Sequence, residues 1–251
     1  MEIMNSDSST KCWNEIGDEW IQKAQTNDFR IFYIMPNTFE LLGDVNKKAV
    51  LDLGCGEGGY ARELARKGAN VVAVDCSNNA VDYAIAKAAE EELQIKHYVR
   101  NSNDLYGIND NTFDIVLCAM MLMDVEDLNG TLQEIHRVLK PQGKVFISIL
   151  HPCFKPPIEH QWFKEDDGIQ VRVKNYFSPS EWEGQISNIE NKVIYRHKTI
   201  SEYVKAFVQN RFIIKDMNEP IPTPEQQKKS SRIEWLAKIP MYLFITLEKP
   251  V

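Results

Sequence analysis

The chain contains no run of eighteen apolar residues and no signal-like apolar segment. The sequence therefore offers no membrane-spanning helix and predicts a cytoplasmic protein. Cysteine is sparse: positions 12, 55, 76, 118 and 153 lie far apart and form no CxxC pair, so they read as reduced thiols. A basic field is also missing. The formal net charge of −7 argues against a nucleic-acid partner. His136, His160 and His197 have no metal-ligand spacing to neighbouring acids or thiols, so no metal is expected. Repeats and low-complexity tracts are absent too. What remains is an ordinary globular composition, 43 % apolar and 26 % charged over 251 residues. That length suffices for one large α/β domain, or for a domain with an insertion, around a full core.

The most informative stretch is Lys48 to Gly59, KAVLDLGCGEGG. A short apolar run carrying one acid ends in glycines at 54, 56, 58 and 59, and a helix-like stretch follows at once. Glycines at a strand–turn–helix junction let the backbone approach a ligand, because no Cβ intervenes. A second apolar run, Val71 to Val74, stops at Asp75, where an acid can take both hydroxyls of a ribose. A nucleotide-like cofactor follows from this pattern.

The region around it alternates. Strands are expected at Val50–Leu53, Val71–Asp75, Ile95–Arg100, Phe113–Ala119 and Val145–Leu150. Helices are expected at Gly59–Lys67, Asn79–Leu93 and Val125–Leu139, the last capped by Asp124, with two more ahead of them at Trp13–Ala24 and Pro36–Leu42. Short apolar strands alternating with helices imply a parallel, doubly wound sheet covered on both faces. After Leu150 the pattern breaks. His151 to Arg196 shows no long helix but gathers Trp162, Phe163, Tyr176, Phe177, Trp182 and Tyr195. We expect an inserted cap there, with Gln170–Lys174 and Lys192–Tyr195 as two strands of a hairpin. Order resumes with a helix at Ser201–Gln209 and strands at Phe212–Met217 and Met241–Glu248, separated by a polar loop or flap from Pro220 to Ser231.

Gly54, Gly56 and Gly59 satisfy G-x-G-x-x-G, which by itself fits an NAD-dependent oxidoreductase equally well. Asp52, inside the strand two residues before the first glycine, points elsewhere. The phrase Val50-Leu51-Asp52-Leu53-Gly54-Cys55-Gly56-x-Gly58 closely resembles the first motif of the class I S-adenosylmethionine-dependent methyltransferases, particularly the small-molecule type. The resemblance continues at Asp75, at Asn101-Ser102-x-x-Leu105, at Asp110 to Val116, and at Arg137-Val138-Leu139-Lys140-Pro141-x-Gly143, and so covers residues 48–150. A weaker likeness lies in Ser201 to Tyr203 and Arg211-Phe212.

The resemblance implies S-adenosyl-L-methionine as cofactor and a seven-stranded, mostly parallel Rossmann-like methyltransferase sheet whose last strand runs antiparallel. It implies a cofactor site of Asp52, Gly54, Cys55, Gly56, Gly58, Asp75, Cys76, Asn101, Ser102, Cys118 and Ala119. Asp75 would meet the ribose and Asn101 the adenine amino group. The expected organisation is an N-terminal helical lid over 1–47, a cofactor-binding core over 48–150, an inserted substrate cap over 151–196, and a completion of the sheet over 197–251. His151, ending the fifth strand where open α/β sheets place ligands, is the base candidate. The partner is a small-molecule acceptor of methyl at O, N or C, and the protein a monomer or homodimer. A non-catalytic S-adenosylmethionine-binding protein and an RNA methyltransferase stand as alternatives.

Overall fold

The computed structural model describes residues 7–154, 162–165, 168–178, 181–185 and 192–251. The chain enters through α1 (Ser8–Gln25) and α2 (Met35–Leu42), which flank a π-helical turn at Arg30–Ile34. There follow β1 (Ala49–Leu53), α3 (Gly59–Arg66), β2 (Asn70–Asp75), α4 (Asn78–Glu90), β3 (Ile95–Val99), β4 (Phe113–Ala119), α5 (Leu128–Val138) and β5 (Leu139–Leu150). Four short strands come next: β6 (Trp162–Glu165), β7 (Gly168–Val171), β8 (Glu181–Gln185) and β9 (Lys192–Arg196). The chain ends with α6 (Ile200–Gln209), β10 (Ile213–Asn218), α7 (Pro224–Lys229), α8 (Ser231–Glu234) and β11 (Tyr242–Glu248).

Seven of the strands make the central sheet, in the order β10-β11-β5-β4-β1-β2-β3. Strands β1 to β5 pair in parallel, while β11 runs antiparallel to both β5 and β10. This is the Rossmann-like methyltransferase fold.

The parity of β1 shows how the sequence selects the two layers. Successive side chains point to opposite faces. Val50 packs with Tyr60, Ala61 and Leu64 of α3, whereas Leu51 and Leu53 pack with Leu132 and Ile135 of α5 and with Phe207 of α6. Asp52 shares the parity of Val50, so its carboxyl lies buried on the α3 side of the sheet. Helix α4 is capped by Ser77 and buries its alanine face.

Three local expectations are corrected. The region after Leu150 forms two separate hairpins, β6 with β7 and β8 with β9. A short connection is cheaper to close than a long one, and each strand found its nearest partner. Helix α5 begins at Leu128, because Asp127, not Asp124, accepts from the Gly130 amide at 2.8 Å. The polar stretch after Pro220 carries α7 and α8, and it is tied down where the Tyr33 hydroxyl donates to the Pro220 carbonyl. No described helix is long and apolar enough to cross a membrane.

Candidate active site

The turn after β1 is built by hydrogen bonds that glycine alone accommodates easily. Gly54 and Gly56 sit at φ +74° and +54°. The Gly54 and Cys55 amides both donate to the Val74 carbonyl, at 2.8 and 3.0 Å, locking the turn onto β2. A Cβ at Gly54 would lie 2.7 Å from the Met121 side chain. Asp75 fastens the two βα turns together: one carboxylate oxygen accepts from the Gly56 amide at 2.8 Å and the other from the Ser77 amide at 2.9 Å. An ionised carboxylate has about four lone-pair positions, so acceptor capacity remains. Burial pushes the Asp75 pKa up, against those amide bonds.

Around this turn lies a cavity of about 410 Å³. Gly54, Cys55, Gly56, Asp75, Cys76, Asn101, Ser102 and Ala119 all line it. Asp52, Gly58 and Cys118 do not. Asp52 and Cys118 are buried within the layers, and Gly58 caps α3 at φ +80°, where a Cβ would meet that of Ala84 at 2.8 Å. The Asp52 carboxyl has neither oxygen hydrogen-bonded. Burial pushes its pKa up to about 7, opposed by Arg30 and reinforced by Asp75 and Glu57.

His151 is also outside the cavity. It is buried, its Nε2 lies 2.7 Å from Glu219, and its Nδ1 accepts from the Cys153 amide at 3.1 Å. With Nδ1 as acceptor, the neutral ring carries its proton on Nε2 and donates it to Glu219. No nitrogen is left to take a proton from an acceptor, and burial holds its pKa below the ordinary imidazole value.

Several lining residues belong to no motif. Helix α1 contributes Asp7, its N-cap, with Thr10, Trp13 and Trp20, and the turn that follows contributes Phe29 and Arg30. Arg30 and Arg62 clamp the buried Glu57 of the glycine turn, and Arg30 stands 5.5 Å over the Tyr60 ring. The segment after β4 contributes Met120, Met121, Met123 and Asp124. Burial pushes the Asp124 pKa up to about 7, against the charges of Lys198 and Arg196. Leu150, Met241 and Tyr242 complete an apolar end with Phe29 and Met120.

The described aromatics of the expected cap are held by different contacts. Trp162 bonds the Phe154 carbonyl, Phe163 lies under Arg172, and the Tyr176 hydroxyl accepts from the Ile200 amide. None of these three lines the cavity; Tyr195 does. The Trp182 side chain and His160 lie outside the described residues. Among the described residues no group of His, Cys, Asp and Glu could hold a metal ion.

Fold and site together define a doubly wound domain with a nucleoside-sized cavity at the carboxyl ends of its strands. Comparison with known proteins agrees. Residues 51–147 match a family described as "Methyltransferase domain". The chain is 30 % identical over 154 residues to a ubiquinone biosynthesis O-methyltransferase of Aliivibrio fischeri, covering 61 % of this chain and 64 % of that protein. A Vibrio cholerae protein of the same description is 30 % identical over 151 residues, with 60 % of each chain covered. The match thus spans under two thirds of the curated relatives' length. Among solved structures, an S-adenosylmethionine dependent methyltransferase from Mesorhizobium loti superposes with a TM-score of 0.75 at 22 % identity, covering 90 % of this chain and 99 % of that one. The [4+2]-cyclase SpnF superposes at 0.65 and 17 %, covering 97 % and 96 %. Residues 51–147 thus match a methyltransferase domain, and the fold is one shared with S-adenosylmethionine-dependent methyltransferases.

Proposed function

We propose that this protein is an enzyme that transfers the methyl group of S-adenosylmethionine to a small-molecule oxygen, nitrogen or carbon. One observation carries the reading: a single cavity joins the glycine turn, Asp75 and Asn101 to an apolar end at the carboxyl termini of β4 and β5. The residues suit the cofactor. The turn leaves no room for a Cβ at Gly54, and Asp75 keeps free acceptor positions.

Bound there, the cofactor would supply a methyl group on an electrophilic sulfonium. The chain's own part is binding, orientation and exclusion of water. Asp75 would hold the ribose hydroxyls, and Asn101 with Ser102 would meet the adenine. Phe29, Met120, Leu150, Met241 and Tyr242 would align an apolar acceptor for in-line attack, where positioning alone lowers much of the barrier. Where the acceptor carries a proton, Asp124 is the cavity acid whose pKa of about 7 suits a base. Residues 1–47 would act as lid over a core at 48–150. Of the described residues in the 151–196 cap, Tyr195 would reach the cavity, and 197–251 would complete the sheet. The curated relatives' names favour oxygen among the three acceptor atoms. Cytoplasmic location, a monomer or homodimer, and no nucleic-acid partner belong to the same proposal.

Calorimetric titration with S-adenosylhomocysteine and with NAD tests the cofactor. Binding of NAD alone would overturn the reading. Incubation with methyl-labelled cofactor and a panel of phenols, amines and activated carbons tests transfer. Tight cofactor binding with no labelled product from any metabolite extract would instead favour a non-catalytic binding protein.

A further inference from the structure

Asp7 belongs to the N-terminal segment, far in sequence from any glycine motif, yet it lies in the cofactor cavity against Asn101. Its two carboxylate oxygens have separate tasks. Oδ1 accepts from the Thr10 amide at 2.8 Å and caps α1; Oδ2 accepts from Nδ2 of Asn101 at 2.9 Å. The same Nδ2 also donates to the Thr10 hydroxyl at 3.3 Å. An asparagine amide has a donor end and an acceptor end, and its neighbours decide which way it turns. A carboxylate accepts only, so Asp7 holds the amide nitrogen of Asn101 and leaves its carbonyl oxygen for what occupies the cavity. That oxygen has one long contact, 3.5 Å, from the Asn103 amide.

From this geometry we infer that Asp7 is a positioning residue for cofactor recognition: it fixes the rotamer of Asn101 so that an acceptor meets the exocyclic amino group of adenine. The inference rests on the cofactor reading above and deepens it. Adenine carries a donor at position 6, whereas hypoxanthine carries a carbonyl there. A fixed acceptor at residue 101 matches the first and opposes the second. Because Asp7 sits on the lid, base identity is read only when α1 is in place. Burial works to raise the Asp7 pKa, but hydrogen bonds from Thr10 and Asn101 outweigh it and hold the carboxyl below its ordinary range. The acceptor-only form therefore prevails at neutral pH.

The test is a specificity reversal. Asp7→Asn keeps a good helix cap, but its one oxygen is then spent on the Thr10 amide and its NH₂ faces residue 101. Asn101 must turn over, and its own NH₂ now faces the base. Wild-type protein should bind S-adenosylhomocysteine roughly tenfold more tightly than S-inosylhomocysteine, the worth of one hydrogen bond matched rather than opposed. D7N should abolish or invert that preference. The double variant D7N/N101D should restore it, since a carboxylate placed at position 101 accepts from both the new amide at position 7 and the adenine amino group. Calorimetry with the two nucleosides reads the ratio, and thermal unfolding of the unliganded variants reads the fold. Equal weakening toward both nucleosides in D7N, or a double variant no better than D7N, would overturn the role of Asp7 alone. A wild-type protein that binds neither nucleoside would overturn the cofactor reading and the role of Asp7 with it.

Discussion

Asp52 is a carboxyl with no hydrogen bond in the middle of a sheet, and its ionisation must cost the folded state. Its pKa rises from 3.8 to about 7 on folding, with burial as the main cause. The contribution to stability is therefore fully present below pH 4 and lost as pH climbs to 7, at about 1.4 kcal/mol for each pH unit between those limits. Asp52→Asn should flatten that decline, leaving the variant more stable than the parent at pH 8, by on the order of 1–3 kcal/mol, in urea unfolding. A parent and variant with identical pH slopes would mean the carboxyl is solvated. Asp75→Ala should weaken S-adenosylhomocysteine roughly tenfold or more, about 1.4 kcal/mol per tenfold, by titration. His151→Ala should leave that affinity unchanged but lower stability by roughly 1–2 kcal/mol, because Glu219 and the Cys153 amide lose their partner. Slowed turnover at unchanged stability would return His151 to the role of base.

At the scale of elements, Arg196 of β9 joins three segments that the sequence separates widely. Its guanidinium donates to Ser8 and Ser9 of α1, to the Asp124 carbonyl after β4 at 2.6 Å, and to Glu181 of β8 at 2.8 Å. Arg196→Met keeps the apolar stem and removes the donors. We expect roughly tenfold faster release of S-adenosylhomocysteine in stopped flow, and faster proteolysis of residues 8–25. Unchanged rates would show that α1 is held by packing alone. The strand–helix alternation over 48–150 was legible because period and caps are local. The pairing of Trp162–Glu165 with Gly168–Val171 was not, since β-pairing depends on which partner comes nearest in space. The α5 cap at Asp127 was missed for a similar reason: Asp124 and Asp127 read alike in sequence, and only the chain's path after β4 separates them.

Across the whole molecule, the glycine phrase and the strand–helix alternation around it marked the fold, and Gly54, Gly56, Asp75 and Asn101 come together around one cavity. Close approach of backbone to ligand demands glycine, and a strand-end acid is legible wherever its strand is. Tertiary structure decided everything else. Strand parity sent Asp52 and Cys118 into the layers, and the Glu219 and Cys153 contacts took both nitrogens of His151. The apolar end of the cavity came from residues scattered between Phe29 and Tyr242, and the cap gave one residue, Tyr195, of the aromatics read for it whose side chains are described. Such a wall has no spacing to read, because its members meet only when the N-terminal helices fold back over the carboxyl ends of β4, β5 and the start of β11. Sequence determined which cofactor class the backbone can admit. Packing of distant segments determined what shape of acceptor can reach it.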